Sequence, residues 1–254
     1  MGSIERRALQ ALLDAKLAAP SIPDYCPNGL QVEGKSQICK VVTGVTASQA
    51  LIDAAIAAQA DAILVHHGYF WKGEAPAVVG MKKKRLQALL QHDISLFAYH
   101  LPLDVHPELG NNARLAQLLG LQQVQPLPGP APEGVVMTGR LAQAEPIDQF
   151  SARVETLLGR SILTHAAGER LVQQLAWCTG GGQGYIDAAA AAGLDLFLTG
   201  EVSEQTIHSS REQGIHFIAA GHHATERYGI EALGQWLAAE TGLDVEFIDI
   251  PNPA

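Results

Sequence analysis

The sequence has few cysteines, little positive charge and no long apolar run. Cys26, Cys39 and Cys178 are scattered and form no Cys-x-x-Cys pair, which argues against a disulfide framework and a thiolate zinc site. The formal net charge of −9 argues against a broad nucleic-acid-binding surface. No stretch approaches the roughly 18 apolar residues of a membrane span, and the charged, amphipathic N-terminus does not resemble a signal peptide. We therefore expect a cytoplasmic protein with no membrane association.

The chain has the composition of a globular protein, with 47% hydrophobic and 17% charged residues in 254 positions. Short apolar segments alternate with helical patterns along its length, which is typical of an α/β fold. We predict helices at 3–17, 47–59, 81–92, 111–119, 147–158, 185–192, 203–212 and 225–240. We predict strands at 30–33, 41–45, 62–65, 94–99, 135–141, 171–178, 194–198, 215–220 and 245–248.

A proline-rich segment divides the sequence into two similar halves. Four prolines within 125–132 disfavour any regular element, so we predict a first lobe at 1–124, a linker at 125–134 and a second lobe at 135–254. Residues 52–64 match residues 186–198 without a gap, and both copies follow a Thr-Gly turn. Chance similarity between alanine-rich helices is the alternative, but the shared order of elements favours duplication. We expect mixed sheets in both lobes and a cleft between the lobes.

Two adjacent histidines, His66 and His67, end the apolar run Ala62–Val65. In open α/β sheets ligands bind beyond the carboxyl ends of the strands, so both imidazoles would be delivered to the expected position of a site. Neighbouring residues at a strand end point in different directions, which suits two adjacent metal ions. An ordinary polar boundary between strand and loop is the alternative interpretation.

Two further predicted strands also end in metal-ligand residues, at His100–Asp104 and at His222-His223 with Glu226. Histidine with carboxylate and no thiolate suits Zn, Fe, Mn, Co or Ni. A pair of such ions can clamp a substrate and activate water, and a bridging carboxylate would offset their mutual repulsion. We assign His66 and Asp104 to one ion and His67 and His222 to the other, with Glu226 as bridge or chelator.

Two segments are candidates for gripping an anionic substrate. The first is the basic run Lys82–Arg85, although a run of charges is more often simply a solvated helix start. The second is the glycine-rich turn Thr179–Gly184, whose amides could cradle an anion or could serve only a tight turn and close packing. It matches neither the Rossmann fingerprint nor a Walker loop.

The chain resembles the GTP cyclohydrolase 1 type 2 family, also called the NGG-interacting-factor-3-like dinuclear metal-centre proteins, and especially its bacterial YbgI-type members. The segments that carry the resemblance span nearly the whole chain and are Pro27–Val32, Val65–Gly68, His100–Asp104, Gly110–Asn112, Thr199–Glu201 and Gly221–Glu226. The resemblance implies two intertwined α/β lobes, two divalent metal ions and a ring-shaped homohexamer, a trimer of dimers. The family's ligand pattern falls on His66, His67, Asp104, His222 and Glu226.

Three functions are compatible with these residues. The first is hydrolytic opening of a purine nucleotide such as GTP, with His100 or Glu201 moving protons. The second is hydrolysis of another small anionic substrate, such as a phosphoester or a cyclic amide. The third is a non-catalytic metal-binding scaffold in a stress response, since fold alone does not give function.

Overall fold

The structure is a computed structural model that describes residues 2–254. The chain folds as two compact units. The first unit holds the residues up to Leu103 together with Gly229–Ile250, and the second holds Asp104–Tyr228 together with Pro251–Ala254. No helix in the described part of the chain is long and apolar enough to cross a membrane.

The first unit is built on a five-stranded sheet. Its elements are β1 (Ile4–Glu5), α1 (Arg6–Lys16), β2 (Gly29–Val32), β3 (Gln37–Ile38), β4 (Lys40–Thr46), α2 (Gln49–Ala57), β5 (Ala62–His67), α3 (Gly80–Gln91) and β6 (Ser95–Ala98), with β13 (Asp244–Phe247) from the end of the chain. The strand order is β13-β4-β5-β6-β2, in which the first four strands are parallel and β2 is antiparallel to β6. Strands β1 and β3 form a separate antiparallel pair.

The register of the central strands brings their carboxyl ends to one level. Val65 of β5 pairs with Gly44 of β4 on one side and with Ala98 of β6 on the other. Apolar residues fill these strands because both faces are covered, as is usual for parallel sheets. The polar residues that follow β5 and β6 therefore emerge at the same edge of the sheet.

The second unit is built on a six-stranded sheet. Its elements are α5 (Asn111–Leu119), β7 (Gln122–Pro126), β8 (Met137–Glu145), α6 (Ile147–Leu158), β9 (Leu163–His165), β10 (Val172–Cys178), α7 (Ile186–Ala191), β11 (Leu196–Thr199), α8 (Glu204–Gln213) and β12 (His216–Ala219). The strand order is β7-β8-β10-β11-β12-β9, with β10, β11 and β12 parallel and the outer pairings antiparallel. Its core centres on fully buried Trp177, Phe150 and Leu198. Two helices, α4 (Leu101–Val105) and α9 (His222–Thr241), contain residues of both units.

The predicted mixed α/β fold is confirmed, and the two units share an order of elements. The first unit contains β4-α2-β5-α3-β6 and the second contains β10-α7-β11-α8-β12. In each case three parallel strands alternate with two helices. This common order agrees with the duplication that the matching segments indicate.

Several predicted elements differ from the structure at their ends. The N-terminal helix begins at Arg6 because residues 4–5 form β1, and the last helix begins at His222, three residues before the predicted start. His100–His106, where we predict no helix from the sequence, contains helix α4. Pro102 is compatible with that helix because the first turn needs no amide donor there.

The proline-rich segment 125–134, predicted as a linker, lies inside the second unit. Gln125 and Pro126 belong to β7, which pairs with β8 at the edge of the sheet. An edge strand has one unpaired side, so a proline without an amide donor is accepted there. The chain passes between units at Leu103–Asp104 and at Tyr228–Gly229, within helices whose sequence shows no break at those positions, and again at Ile250–Pro251.

A buried asparagine, Asn112, fastens the end of this segment. Its side-chain nitrogen donates to the carbonyl oxygens of Gly134 and Val135, at 2.9 and 3.1 Å. Its side-chain oxygen accepts from the amide of Thr179 at 3.1 Å, and its backbone oxygen accepts from the indole of Trp177. One amide side chain thus joins the loop before β8 to the turn after β10.

We expect Asn112→Ala to lower the free energy of unfolding by about 2–4 kcal/mol, because three buried backbone groups lose their partner. Urea denaturation of the full chain measures this loss. Gln117→Ala, on the exposed side of the same helix, should change stability by no more than about 0.5 kcal/mol. Equal stability of the two variants would contradict the role given to Asn112.

Candidate metal centre

Three histidines of the first unit form a cluster at the carboxyl ends of β5 and β6. His66 is fully buried, His100 is 6% exposed and His67 is partly exposed. One nitrogen atom from each ring lies within 4.8 Å of the others. The ring centroids are 4.4 Å apart for His66 and His67, and 5.1 and 5.7 Å from His100. Such convergence of imidazoles is what a metal site requires.

Each ring of this cluster is held through its Nδ1 atom. His66 Nδ1 donates to the carbonyl oxygen of Tyr99 at 3.0 Å, and His67 Nδ1 lies 3.2 Å from Oγ1 of Thr46. His100 Nδ1 donates to a carboxylate oxygen of Asp24 at 3.0 Å. A neutral imidazole that donates through Nδ1 carries its lone pair on Nε2, so the contacts of His66 and His100 fix which nitrogen can bind a cation. The Thr46 hydroxyl can donate to His67 or accept from it.

Asp24 is a site residue that the sequence did not reveal. Its side chain is 3% exposed and accepts from His100, the amide of Leu101 at 2.9 Å and the side chain of Asn28 at 3.0 Å. Burial alone would raise the pKa of Asp24, but the hydrogen bond and charge of His100 and the other donors outweigh it and lower the pKa to about 2. The only signal was an aspartate in a turn, which is common in loops.

Asp104 lies in α4, in the second unit, and is 6% exposed. Asn111 donates to one of its carboxylate oxygens at 2.8 Å, and the hydroxyl of Thr179 lies 3.4 Å from the same oxygen. Asn111, the first asparagine of the Gly110–Asn112 segment, therefore orients the carboxylate of Asp104. Such support is usual behind a metal-binding carboxylate.

The first turn of α9 carries the two remaining predicted ligands. Nε2 of His222 lies 3.1 Å from a carboxylate oxygen of Glu226, which is 3% exposed, and Nδ1 of His222 donates to Glu201 at 2.6 Å. Burial alone would lower the pKa of His222, but Glu226 and Glu201 outweigh it and raise the pKa to about 9. Glu201 therefore anchors the ring of His222, while its predicted part in proton transfer stays a prediction.

The glycine-rich turn packs tightly against this pair of side chains. A Cβ atom at Gly180 would clash with Oε1 of Glu226 and come within 3.0 Å of Nε2 of His222. The amides of Gly180 and Gly182 donate to the hydroxyls of Thr225 and Thr199, both at 3.0 Å. These contacts favour the close-packing interpretation of the turn, because both amides are directed to threonines.

The donor chemistry of both clusters fits a divalent cation. Neutral imidazoles and carboxylates are ligands of Zn, Fe, Mn, Co and Ni. Burial, followed by the charges of Asp104 and Glu226, raises the pKa of the Cys178 thiol far above its usual range. That cysteine therefore stays a thiol, which is a poor ligand.

The predicted anion-gripping run Lys82–Arg85 lies in the first turns of α3. Lys82 pairs with Glu74 at 3.0 Å and donates to the carbonyl oxygen of Ala75. Its charge is thus partly compensated within the protein. A role for this run in binding phosphate stays a prediction.

Comparison with known proteins gives one consistent family. Residues 4–253 match the model of the Duf34/NIF3 (NGG1p interacting factor 3) family. A Haemophilus influenzae protein named GTP cyclohydrolase 1 type 2 homolog is 59% identical over 247 residues, covering 97% of this chain and 98% of that protein. The solved structure of protein ybgI, described as of unknown function, has a TM-score of 0.95 and 57% identity over 99% of this chain and all of that one. The solved structure of TTHA1606 from Thermus thermophilus has a TM-score of 0.89 and 37% identity, with 99% and 100% coverage.

We expect Gly180→Ala to lower the metal content of the purified protein severalfold, because the methyl group would displace the Glu226 carboxylate. Inductively coupled plasma mass spectrometry measures the metal content. Gly120→Ala is the matched control, because Gly120 has a similar φ of 67° but open space around its Cβ position. Equal metal loss in both variants would mean that backbone strain, not the clash, is responsible.

We expect Asp24→Asn to lower stability by about 2 kcal/mol near neutral pH. The pKa of Asp24 in the folded chain lies below its ordinary value of 3.8, so its contribution is present above about pH 4 and is lost as the pH falls through about 2. Urea denaturation at pH 6 and pH 3 should therefore show a smaller difference from wild type at pH 3. Asp53→Asn, at an exposed position, should show no such convergence.

Proposed function

The chain belongs to the Duf34/NIF3 (NGG1p interacting factor 3) family, and from that premise we propose that it is a dinuclear metal-dependent hydrolase. The proposed ligands of two divalent cations are His66, His67, Asp104, His222 and Glu226. The observation that carries this proposal is the histidine cluster, in which His66 and His100 are buried and oriented through Nδ1 so that Nε2 presents its lone pair.

Each cluster supplies part of what a pair of cations requires. The first unit contributes imidazoles, which are neutral ligands, and the second contributes one imidazole with the carboxylates of Asp104 and Glu226. Two divalent ions need anionic ligands to offset their charge, so the proposed ligand set includes the carboxylates of Asp104 and Glu226 besides the imidazoles. When bound, such ions lower the pKa of water toward about 7 and neutralise an anionic substrate. The donor set supports Zn, Fe, Mn, Co or Ni without selecting one.

We propose a purine nucleotide as the substrate, with GTP and water giving dihydroneopterin triphosphate and formate. The support is the name shared by relatives, GTP cyclohydrolase 1 type 2 homolog. A small nucleotide also fits this chain better than a nucleic acid does, because the net charge of −9 does not favour large anionic partners.

His100 is the residue that we propose moves protons in this reaction. Its Nδ1 proton is held by Asp24, so its Nε2 atom can accept a proton from water or a substrate and return it to a leaving nitrogen. Asp24 does not exchange protons in this scheme. It acts as a positioning residue that fixes the tautomer and stabilises the imidazolium form, as the aspartate does in hydrolase triads.

Metal content and turnover of the same variants test the proposal. We expect His66→Ala and Glu226→Gln each to lower the bound metal from about two ions per chain and to reduce formate release from GTP by at least about 100-fold. His92→Ala, at an exposed histidine outside both clusters, should keep both properties. Formate and the fluorescence of the oxidised pterin are the readouts, with Zn, Mn or Fe added.

The two readouts separate the two parts of the proposal. Variants that keep full metal content would contradict the ligand assignment. Wild-type protein with both ions bound that releases no formate with any of the three metals would contradict GTP as the substrate.

A further inference from the structure

Two aromatic side chains, Tyr25 and Trp71, lie against the histidine cluster of the first unit. The ring centroids of Tyr25 and Trp71 are 5.0 and 4.9 Å from that of His100, and both rings are nearly perpendicular to it. Trp71 also lies 6.0 Å from His67. The phenol of Tyr25 therefore borders His100, and the indole of Trp71 borders both His100 and His67.

Part of the surface of each of these rings meets solvent. Tyr25 is 52% exposed and its neighbour in space, Trp71, is partly exposed. Phe97 and Tyr99 of the same unit are, by contrast, fully buried. A half-exposed aromatic pair beside polar groups is a common feature of binding sites.

The two loops that carry these rings are tied together. The side chain of Gln31 donates to the carbonyl oxygens of Pro27 and Tyr69, at 2.8 and 3.1 Å, and accepts from the amide of Tyr69 at 2.7 Å. The amide of Lys72 donates to the carbonyl oxygen of Tyr25 at 2.8 Å. The aromatic pair is therefore held in position before any ligand binds, which reduces the entropy lost on binding.

The backbone before Trp71 is strained in a way that sets the direction of the indole. Phe70 has a φ of 65°, a conformation that bulky side chains rarely adopt. The indole nitrogen of Trp71 then donates to the carbonyl oxygen of Gly68 at 3.1 Å. Strained residues of this kind persist where surrounding contacts enforce them, and they concentrate at functional sites.

We propose that Tyr25 and Trp71 form a stacking subsite for a planar heteroaromatic ring, of the purine or pterin class. The ring would stack on the exposed face of the pair, because centroids 5.7 Å apart leave no room for it between them. The edge of the stacked ring would then face His100, whose Nε2 atom can exchange a hydrogen bond with a ring nitrogen. An aliphatic phosphoester would gain nothing from this surface.

This inference rests on the proposed function only in placing the substrate beside His100. The subsite would select a planar base over an aliphatic substrate of equal charge, which the proposed function alone does not require. Because stacking requires only ring binding, it can be measured without turnover.

Isothermal titration calorimetry with the full-length, metal-loaded chain tests the subsite. The probes are guanosine and neopterin, which carry planar rings, and inorganic tripolyphosphate, which carries none. We expect Trp71→Ala and Tyr25→Leu to weaken binding of the planar probes roughly 10-fold and to leave tripolyphosphate binding unchanged. Trp71→Phe should restore ring binding to within about threefold, and Leu90→Ala, which removes an exposed apolar side chain elsewhere, should have no effect.

Three results would overturn the subsite. They are wild-type protein that binds neither guanosine nor neopterin, unchanged ring binding in Trp71→Ala, and equal loss of ring and tripolyphosphate binding in that variant. Metal content of every variant is measured in parallel, so that a damaged metal centre is recognised. Ring binding that depends on Trp71 in a protein that does not turn over GTP would support the subsite and contradict the proposed hydrolysis.

Discussion

The hydrogen bond that fixes Nδ1 of a histidine ring is the interaction on which the rest of the site depends. Imidazoles in both units donate an Nδ1 proton to a fixed oxygen, from the backbone of Tyr99 or from the carboxylates of Asp24 and Glu201. Each contact settles the tautomer and the orientation of a ring together. At His66 and His100 a cation would therefore meet an Nε2 lone pair already in place, whereas His222, whose pKa is raised to about 9, would release its Nε2 proton when a cation binds.

Buried carboxylates give the second constraint. Asp104 and Glu226 are 6% and 3% exposed, and removing a carboxylate from water is costly unless charge or hydrogen bonds offset it. Asn111 and His222 offset part of this cost. A bound cation would offset more, so the proposed metal is also expected to stabilise the fold of the second unit.

The alternation of strands and helices could be predicted from sequence, because buried parallel strands are continuous apolar runs. The histidines that end strands could be predicted for the same reason, since they stand where such a run stops. Edge strands such as β7 and β9 could not, since one side and much of their surface meet solvent and the apolar signal is weak. Asp24 escaped prediction for a different reason. Its partner His100 is distant in sequence, and only the folded chain shows that the carboxylate supports an imidazole as well as its own turn.

The loop that Asn112 holds has a consequence for how this architecture can diversify. The amide of Leu127 donates to the carbonyl oxygen of Val136, which closes the loop at its base, and Asn112 fastens the two residues just inside that closure. Most residues at the tip, 128–133, lie on the surface. Insertions or deletions there would leave the anchoring contacts intact, so related chains are free to differ in length at this one place without altering the sheet beneath it.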